Sequence, residues 1–452
     1  MVMDLYHSDI FQNRLSFLKE SQWFSKEDQE CYQTEQFKKL MAHVFAHVPY
    51  YQKLFHSLRL TVSEFNTLED LAKIPLLTKQ IIQENYDELI PTGVDKETLY
   101  SRSTGGSTGT PLTVYMDAAH VARDKANTEY YMNVAGLNIF DFKSIRLYGD
   151  KVPQEVLDRG EYGYVVDGRK LVMSCYHITK ETAPAYVRQI NAFRPKYIHS
   201  RPSGIFPLGQ QMMNLGLKLA FRLEGIFLDG EMLPGSQRDL LEEAFGCRVY
   251  LIYGHTEGCC VGFSCPESRY MHFMPQVGIL ELLRPDGSRA DGEGEKGDMV
   301  VTGFNNYAFP LIRYRTFDIG VNTNRTCPCG RQFSLLKRVE GRVQDYAINR
   351  SGAAIPVAPA VFNYNDMDWK GIRQFQVLQE CAGELIFKIV RESDTAEGSE
   401  EMAQRLLREF GLIFGGMFQL SIRYVDEIPR TRIGKFRYLD QRLDMSAYQL
   451  AV

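Results

Sequence analysis

Apolar residues recur at helical spacing in the first fifty positions: Phe37, Leu40, Met41, Val44 and Val48 share one face until Pro49 stops the run. Short helices are expected at Asp70–Lys73 and Thr78–Gln83, and a stretch dense in Gly, Ser and Thr then leads into the strand-like Leu112–Met116. From about residue 183 the pattern alternates. A helix at Ala183–Phe193 precedes the strand Tyr197–His199, and a further helix precedes the strand Gly225–Leu228. Gln237–Phe245 reads as a helix, with Leu240/Ala244 and Leu241/Phe245 on one face and Gly246 as its stop. The strand Val249–Tyr253 follows. Repeated strand–loop–helix implies a parallel sheet, and in such sheets ligands sit at the carboxyl ends of the strands. The polar loops Ser200–Ser203, Asp229–Glu231 and Gly254–Glu257 all occupy such ends.

Residues 276–320 read as short antiparallel strands joined by turns such as Arg284-Pro-Asp-Gly287. After Gly341-Arg342 the character changes. Phe375–Leu378 and Leu385–Ile389 alternate like a hairpin around Ala382-Gly383, a helix runs from Ser399 to Phe410, and Phe418–Tyr424 alternates as a strand. The pattern predicts an α/β protein with a large domain over residues 1–341 and a small α+β domain over residues 342–452.

At 452 residues the chain is long enough for more than one core, and its 44% apolar and 24% charged residues are those of an ordinary globular protein. A net charge of −4 gives no reason to expect nucleic acid or an anionic membrane as partner. The first residues carry neither a basic head nor an apolar run, no apolar run reaches membrane-spanning length, and nine scattered cysteines do not resemble a disulfide framework. A cytoplasmic protein is expected.

Four signatures carry chemistry. The first is the loop Ser103, Thr104, Gly105, Gly106, Ser107, Thr108, Gly109, Thr110, whose backbone N–H groups and hydroxyls suit a polyphosphate. No Lys-Ser or Lys-Thr pair follows its last glycine, which excludes a Walker loop. The others are Tyr253-Gly254-His255-Thr256-Glu257, Tyr314-Arg-Thr-Phe-Asp318 and Gly434-Lys435. In this order they resemble the acyl-adenylate-forming superfamily. Within it the chain is most similar to the phenylacetate–CoA ligase group and its capsular-polysaccharide-biosynthesis branch, which the run Ala308–Arg315 and Cys327-Pro-Cys-Gly-Arg331 also suggest.

The resemblance implies a large adenylate-forming domain with parallel sheets and a distorted antiparallel, barrel-like part, and a mobile C-terminal domain. It implies an ATP- and Mg²⁺-dependent enzyme that activates a carboxylic acid as acyl-AMP and transfers the acyl group to coenzyme A or to an amine. The Ser103–Thr110 loop would hold the β- and γ-phosphates. Asp229, Gly230 and Glu231 would line the adenine pocket, Tyr253 would lie along the base with Gly254 and His255 beside it, and Asp318 would take the ribose hydroxyls. Arg342 sits at the hinge and completes the nucleotide set. Thr256 would bond the α-phosphate, Glu257 would bind Mg²⁺, and Lys435 would offset the charge that grows as two anions meet. An acyl pocket is expected around Tyr130, Tyr131, Tyr148, His199 and Ser200. Three positions depart from the usual pattern: Thr110 stands in place of lysine, Phe317 in place of the glycine before the ribose aspartate, and Gln344 in place of a hinge aspartate, next to Asp345.

Cys265, His272, Cys327 and Cys329 offer the Cys₃His set of a tetrahedral structural zinc. Cys259 and Cys260, beside Glu257, read as small buried thiols rather than nucleophiles. Two other readings of the chain stay open at this point: an adenylyltransferase acting on a hydroxyl-bearing cofactor, and a non-catalytic nucleotide-binding scaffold.

Overall fold

The computed structural model describes residues 5, 6, 8–103, 112–139, 142–342, 346–352, 354–357, 361, 371–391, 399–414, 416–429 and 436–445. The chain divides into two compact units. One comprises Met1–Lys143, Phe227–Gly230 and Tyr250–Val339; the other comprises Ser144–Ile226, Glu231–Val249 and Glu340–Val452.

The first unit begins with helices. Ser25 caps Lys26–His47 through a capping box with Asp28, and Pro49 opens Pro49–Leu58, so the expected break between apolar helices falls at Val48. The stretch after Thr67 forms a 3₁₀ helix, Leu68–Lys73, and Thr78 caps Lys79–Glu84. Phe37, Leu40, Met41 and Val44 are fully buried and share one core with Ile279, Met299, Val301, Ile312 and Leu336 from the later antiparallel strands. Those strands lie in the order Gly278–Leu283, Lys296–Gly303, Tyr314–Asn322, Ser334–Arg342, Met271–Phe273, Val261–Ser264, Arg248–Gly254. A bulge in the pairing of Lys296–Gly303 with Tyr314–Asn322, between Asp298 and Val300, sets Thr316, Phe317 and Asp318 outside the regular register. Phe317 takes a left-handed φ of 62° there.

In the second unit, Tyr197–Ser200, Ser144–Tyr148 and Lys170–Ser174 are parallel neighbours, and Gly163–Val166 pairs antiparallel on the outer edge. Arg194, Gly216 and Gly246 end the helices Ala183–Phe193, Pro202–Leu215 and Gly235–Phe245 in the left-handed conformation. The last part of this unit is α+β. Its four strands lie in the order Gln419–Tyr424, Glu384–Arg391, Ile372–Gln379, Leu439–Gln441. The helix Ser399–Phe414 buries Met402, Leu406, Phe410 and Phe414 in a core with Val377, Phe387 and Ile389. No helix among the described residues is long and apolar enough to cross a membrane.

Candidate active site

Tyr253 lies near the end of the strand Arg248–Gly254, and the chain then turns, with the Gly258 N–H donating to the His255 carbonyl at 3.0 Å. This turn aims the Glu257 carboxylate inward, where it is 7% exposed. One carboxylate oxygen accepts from the Tyr314 hydroxyl at 2.7 Å; the other lies 3.1 Å from His255 Nδ1. Burial alone would push this carboxyl up, but the His255 ring and the Tyr314 hydroxyl outweigh it and hold the group at about 2. Glu257 is therefore a preformed carboxylate at neutral pH. Its neighbours Cys259 and Cys260 are buried free thiols, and burial pushes both well above the ordinary thiol range.

Tyr314 is fixed by its neighbours. Arg313, at a left-handed φ of 50°, makes a two-pronged pair with Glu281 (3.1 Å on each arm), with both side chains under 10% exposed. The same guanidinium donates to the Ile74 carbonyl at 2.7 Å. Leu77 brackets Tyr314, its N–H bonding the Arg313 carbonyl and its carbonyl the Arg315 N–H, both at 2.9 Å. Four residues along, Asp318 accepts from the Tyr253 hydroxyl at 2.7 Å and is 8% exposed. Its backbone N–H donates to Thr316 Oγ1 at 3.1 Å. One unit thus gathers Tyr253, His255, Thr256, Glu257, Tyr314 and Asp318.

The remaining expected residues distribute as follows. Ser103 ends the strand Tyr100–Ser103 and bonds the Thr113 hydroxyl at 2.8 Å; Thr104, Gly105, Gly106, Ser107, Thr108, Gly109 and Thr110 lie outside the described residues, as do Gln344, Asp345, Gly434 and Lys435. Asp229 ends the strand Gly225–Asp229, and Gly230 follows with φ of 69°. Glu231 accepts from the Ser203 N–H and hydroxyl, each at 2.9 Å, and from the Phe436 N–H at 3.1 Å. Its carboxylate ties the start of the helix Pro202–Leu215 to the residue after Lys435. Arg342 closes the strand Ser334–Arg342.

The acyl-pocket candidates fall in both units. Tyr130 is 1% exposed, its hydroxyl within 3.2 Å of both Gln22 and Arg331, and Tyr131 stacks on Phe263. Ser200 is fully buried and donates to the Leu147 carbonyl at 2.6 Å. Tyr148 and His199, from neighbouring parallel strands, pack edge to face at 5.6 Å, with Arg146 stacked on the Tyr148 ring.

A second cluster lies in the first unit. Cys265 follows the strand Val261–Ser264, His272 lies on its hairpin partner Met271–Phe273, and Cys327 and Cys329 sit in the turn before Ser334–Arg342. Their ligand atoms all lie within 4.8 Å of one another, with Cys265 Sγ 3.5 Å from Cys327 Sγ and Cys329 Sγ 3.3 Å from His272 Nε2. A disulfide needs about 2.05 Å, whereas sulfurs sharing a tetrahedral zinc lie roughly 3.8 Å apart.

Residues 359–441 match the CapK C-terminal domain family. The chain is 24% identical to protein CapK of Staphylococcus aureus over 90% of its own length and 88% of the relative's. It is 25% identical to a phenylacetate–coenzyme A ligase of Thermus thermophilus, covering 88% of this chain and 86% of that protein. Among solved structures, 2-hydroxyisobutyryl-CoA ligase in complex with its acyl-AMP shares the fold, with a TM-score of 0.71 at 18% identity over 93% of this chain and 91% of that one. The chain is thus similar over most of its length to protein CapK and to phenylacetate–coenzyme A ligases, matches the CapK C-terminal domain over residues 359–441, and shares the fold of 2-hydroxyisobutyryl-CoA ligase.

Proposed function

We propose that this chain is an ATP- and Mg²⁺-dependent ligase that activates a carboxylic acid as acyl-AMP and passes the acyl group to a nucleophile. One observation carries the reading most directly: a buried carboxylate, Glu257, held in its charged form by His255 and Tyr314, in the same unit as the Tyr253–Asp318 pair. A carboxylate with both oxygens anchored and outer lone pairs left over suits a hard divalent cation. Glu257 would hold Mg²⁺, which supplies charge neutralisation at the phosphates. Asp318, fixed by Tyr253, presents acceptor oxygens to two ribose hydroxyls, and Thr256 sits next to Glu257 to bond the α-phosphate. The acid's oxygen attacks the α-phosphorus and the bond to the β-phosphate oxygen breaks, releasing pyrophosphate. Lys435 meets the charge that builds between the two anions. The region over residues 342–452 would act as the domain that brings this lysine in and then withdraws it.

The relatives named as coenzyme A ligases support a thiol acceptor. The CapK likeness, through the polysaccharide-biosynthesis branch, supports an amine acceptor as the second possibility. The Cys265, His272, Cys327 and Cys329 set fits a structural zinc on its spacing and on its thiol-rich chemistry. Such an ion would tie the Val261–Phe273 hairpin to the turn at residues 327–330.

ATP–pyrophosphate exchange with Mg²⁺, across aromatic acids, amino acids and sugar acids and without an acceptor, tests the proposal. Exchange with one acid class, lost by at least about 10²-fold in Lys435→Ala, is expected. ATP binding without exchange, unaffected by Lys435→Ala, points to the scaffold; a stable AMP adduct of a hydroxyl compound points to adenylyl transfer.

A further inference from the structure

Glu231 makes contacts that an adenine pocket does not explain. Its carboxylate accepts from the backbone N–H and the hydroxyl of Ser203, each at 2.9 Å, and from the Phe436 N–H at 3.1 Å. A carboxylate offers about four acceptor positions, so these donors leave little for a nucleobase. Ser203 lies in the first turn of the helix Pro202–Leu215, whose N-cap, Arg201, makes no side-chain cap bond. Glu231 therefore caps that helix from outside, and the helix N-terminus in turn fixes its negative charge in place.

The third donor is of another kind. The Phe436 N–H belongs to the amide that joins this residue to Lys435. A second tie lies beside it: Gln237 Nε2, on the helix Gly235–Phe245, donates to the Tyr438 hydroxyl at 3.4 Å, and Gln237 is 3% exposed. Tyr438 is built into the α+β part, where its carbonyl accepts from the Val377 N–H at 2.8 Å and its ring packs on Phe375. Residues 436 and 438 are thus held by residues 231 and 237, all within the second unit. The tie from Glu231 is the charged and shorter one, and it grips the backbone next to Lys435.

We infer that Glu231 is a positioning residue for Lys435, a latch that holds the segment bearing this lysine in the arrangement that makes acyl-AMP. This rests on the proposed function above. When residues 342–452 withdraw the lysine, the bonds to Phe436 and Tyr438 break and water takes their place, while Glu231 keeps both donors of Ser203. The latch therefore stays formed and charged on the helix side, ready to take the Phe436 amide again in the next cycle. Its contribution is to the population of the adenylating arrangement and not to the binding of ATP.

The test compares two variants of the whole chain. Glu231→Ala removes every bond of the carboxylate. Glu231→Asp keeps the charge on a side chain one methylene shorter; with two of the three donors on Ser203, it stays at the helix and gives up Phe436. It decides the matter if Glu231→Ala fails to fold. Pyrophosphate exchange, with the acid class that supports it in the wild type, gives kcat and KM for ATP for each variant, alone and combined with Lys435→Ala. Hydrogen–deuterium exchange follows the Phe436 amide. Loss of a bond to a charged acceptor shifts such an equilibrium by roughly 10- to 100-fold. Both variants are expected to lose that much in kcat, with KM for ATP within about threefold and a less protected Phe436 amide. Combined with Lys435→Ala, neither should add more than about threefold to the loss from Lys435→Ala alone, because Glu231 acts through that lysine. Wild-type kcat in Glu231→Asp, which marks a helix cap alone, overturns the inference. So does a raised KM at unchanged kcat, which marks a base pocket, or losses that multiply in the combined variants. Absence of pyrophosphate exchange in the wild type overturns the functional proposal and this inference with it; the other outcomes leave the functional proposal standing.

Discussion

Tyr314→Phe removes one oxygen atom and leaves the ring in its pocket. That oxygen donates to Glu257 at 2.7 Å, and both groups are under 10% exposed. The Glu257 carboxyl is held at about 2 against an ordinary 4.5, with burial working the other way. That difference corresponds to about 3 kcal/mol of preference for the charged form, shared by the His255 and Tyr314 contacts. A hydrogen bond to a charged acceptor contributes about 1.5–3 kcal/mol, and the Tyr314 hydroxyl stands behind the His255 contacts among the causes of the shift, so its share lies towards the lower end of that range. Metal-free Tyr314→Phe should lose about 1.5 kcal/mol of stability at pH 7, measured by urea unfolding with chelator present. Its pH dependence has a definite sign. A carboxylate depressed on folding contributes stability that is complete above its unfolded pKa and lost as pH falls through the folded one. The gap between variant and wild type should therefore be full above about pH 4.5 and shrink towards pH 2. A gap below about 0.5 kcal/mol at pH 7, or one unchanged between pH 7 and pH 3, refutes the reasoning.

Glu281→Ala should cost about 3–5 kcal/mol because Arg313 is left buried and unpaired, whereas replacing both partners by apolar residues of similar volume should recover most of it; urea unfolding of the single and double variants decides this. The purified protein should carry one zinc per chain by elemental analysis, and Cys329→Ser should lose the metal and melt several degrees lower; full occupancy in that variant removes the zinc assignment. Phe317→Gly relieves a left-handed residue worth about 1–2 kcal/mol but gives up the stack of Arg315 on the ring. Its net effect should stay within about 1 kcal/mol by thermal melting.

Much of this was readable from the chain. The face formed by Phe37, Leu40, Met41 and Val44, the stop at Gly246 and the alternation at Leu385–Ile389 follow from spacing and turn chemistry, so local rules recover them. The motif residues around Glu257 and Asp318 were legible through their resemblance to a family. The helix Ala118–Val134 was missed because it buries His120, Asn127 and Glu129 along with its apolar residues, which blurs any stripe. The 3.1 Å contacts of Arg313 with Glu281 join residues 32 apart, and its bond to Ile74 spans 239. No local pattern signals such partners. The burial of Tyr130 and Ser200, and their hydrogen bonds to Gln22 and to the Leu147 carbonyl, join residues 108 and 53 apart and are likewise unsignalled by local pattern.

The bond from Arg313 to Ile74, and the bridge from Leu77 to Tyr314, also set an order of events during synthesis. The first ninety residues supply Phe37, Leu40, Val44, Tyr51 and Phe55 to a core whose other wall is made of residues 271–336. At about 5–20 residues per second, the nascent N-terminal helices wait roughly 12–48 s between the emergence of Ile74 and that of Arg313. Throughout that interval an apolar face lacks its native cover. Expression at lower chaperone capacity should therefore penalise this protein early in translation, and truncation anywhere before Tyr314 should yield aggregation rather than a smaller folded product.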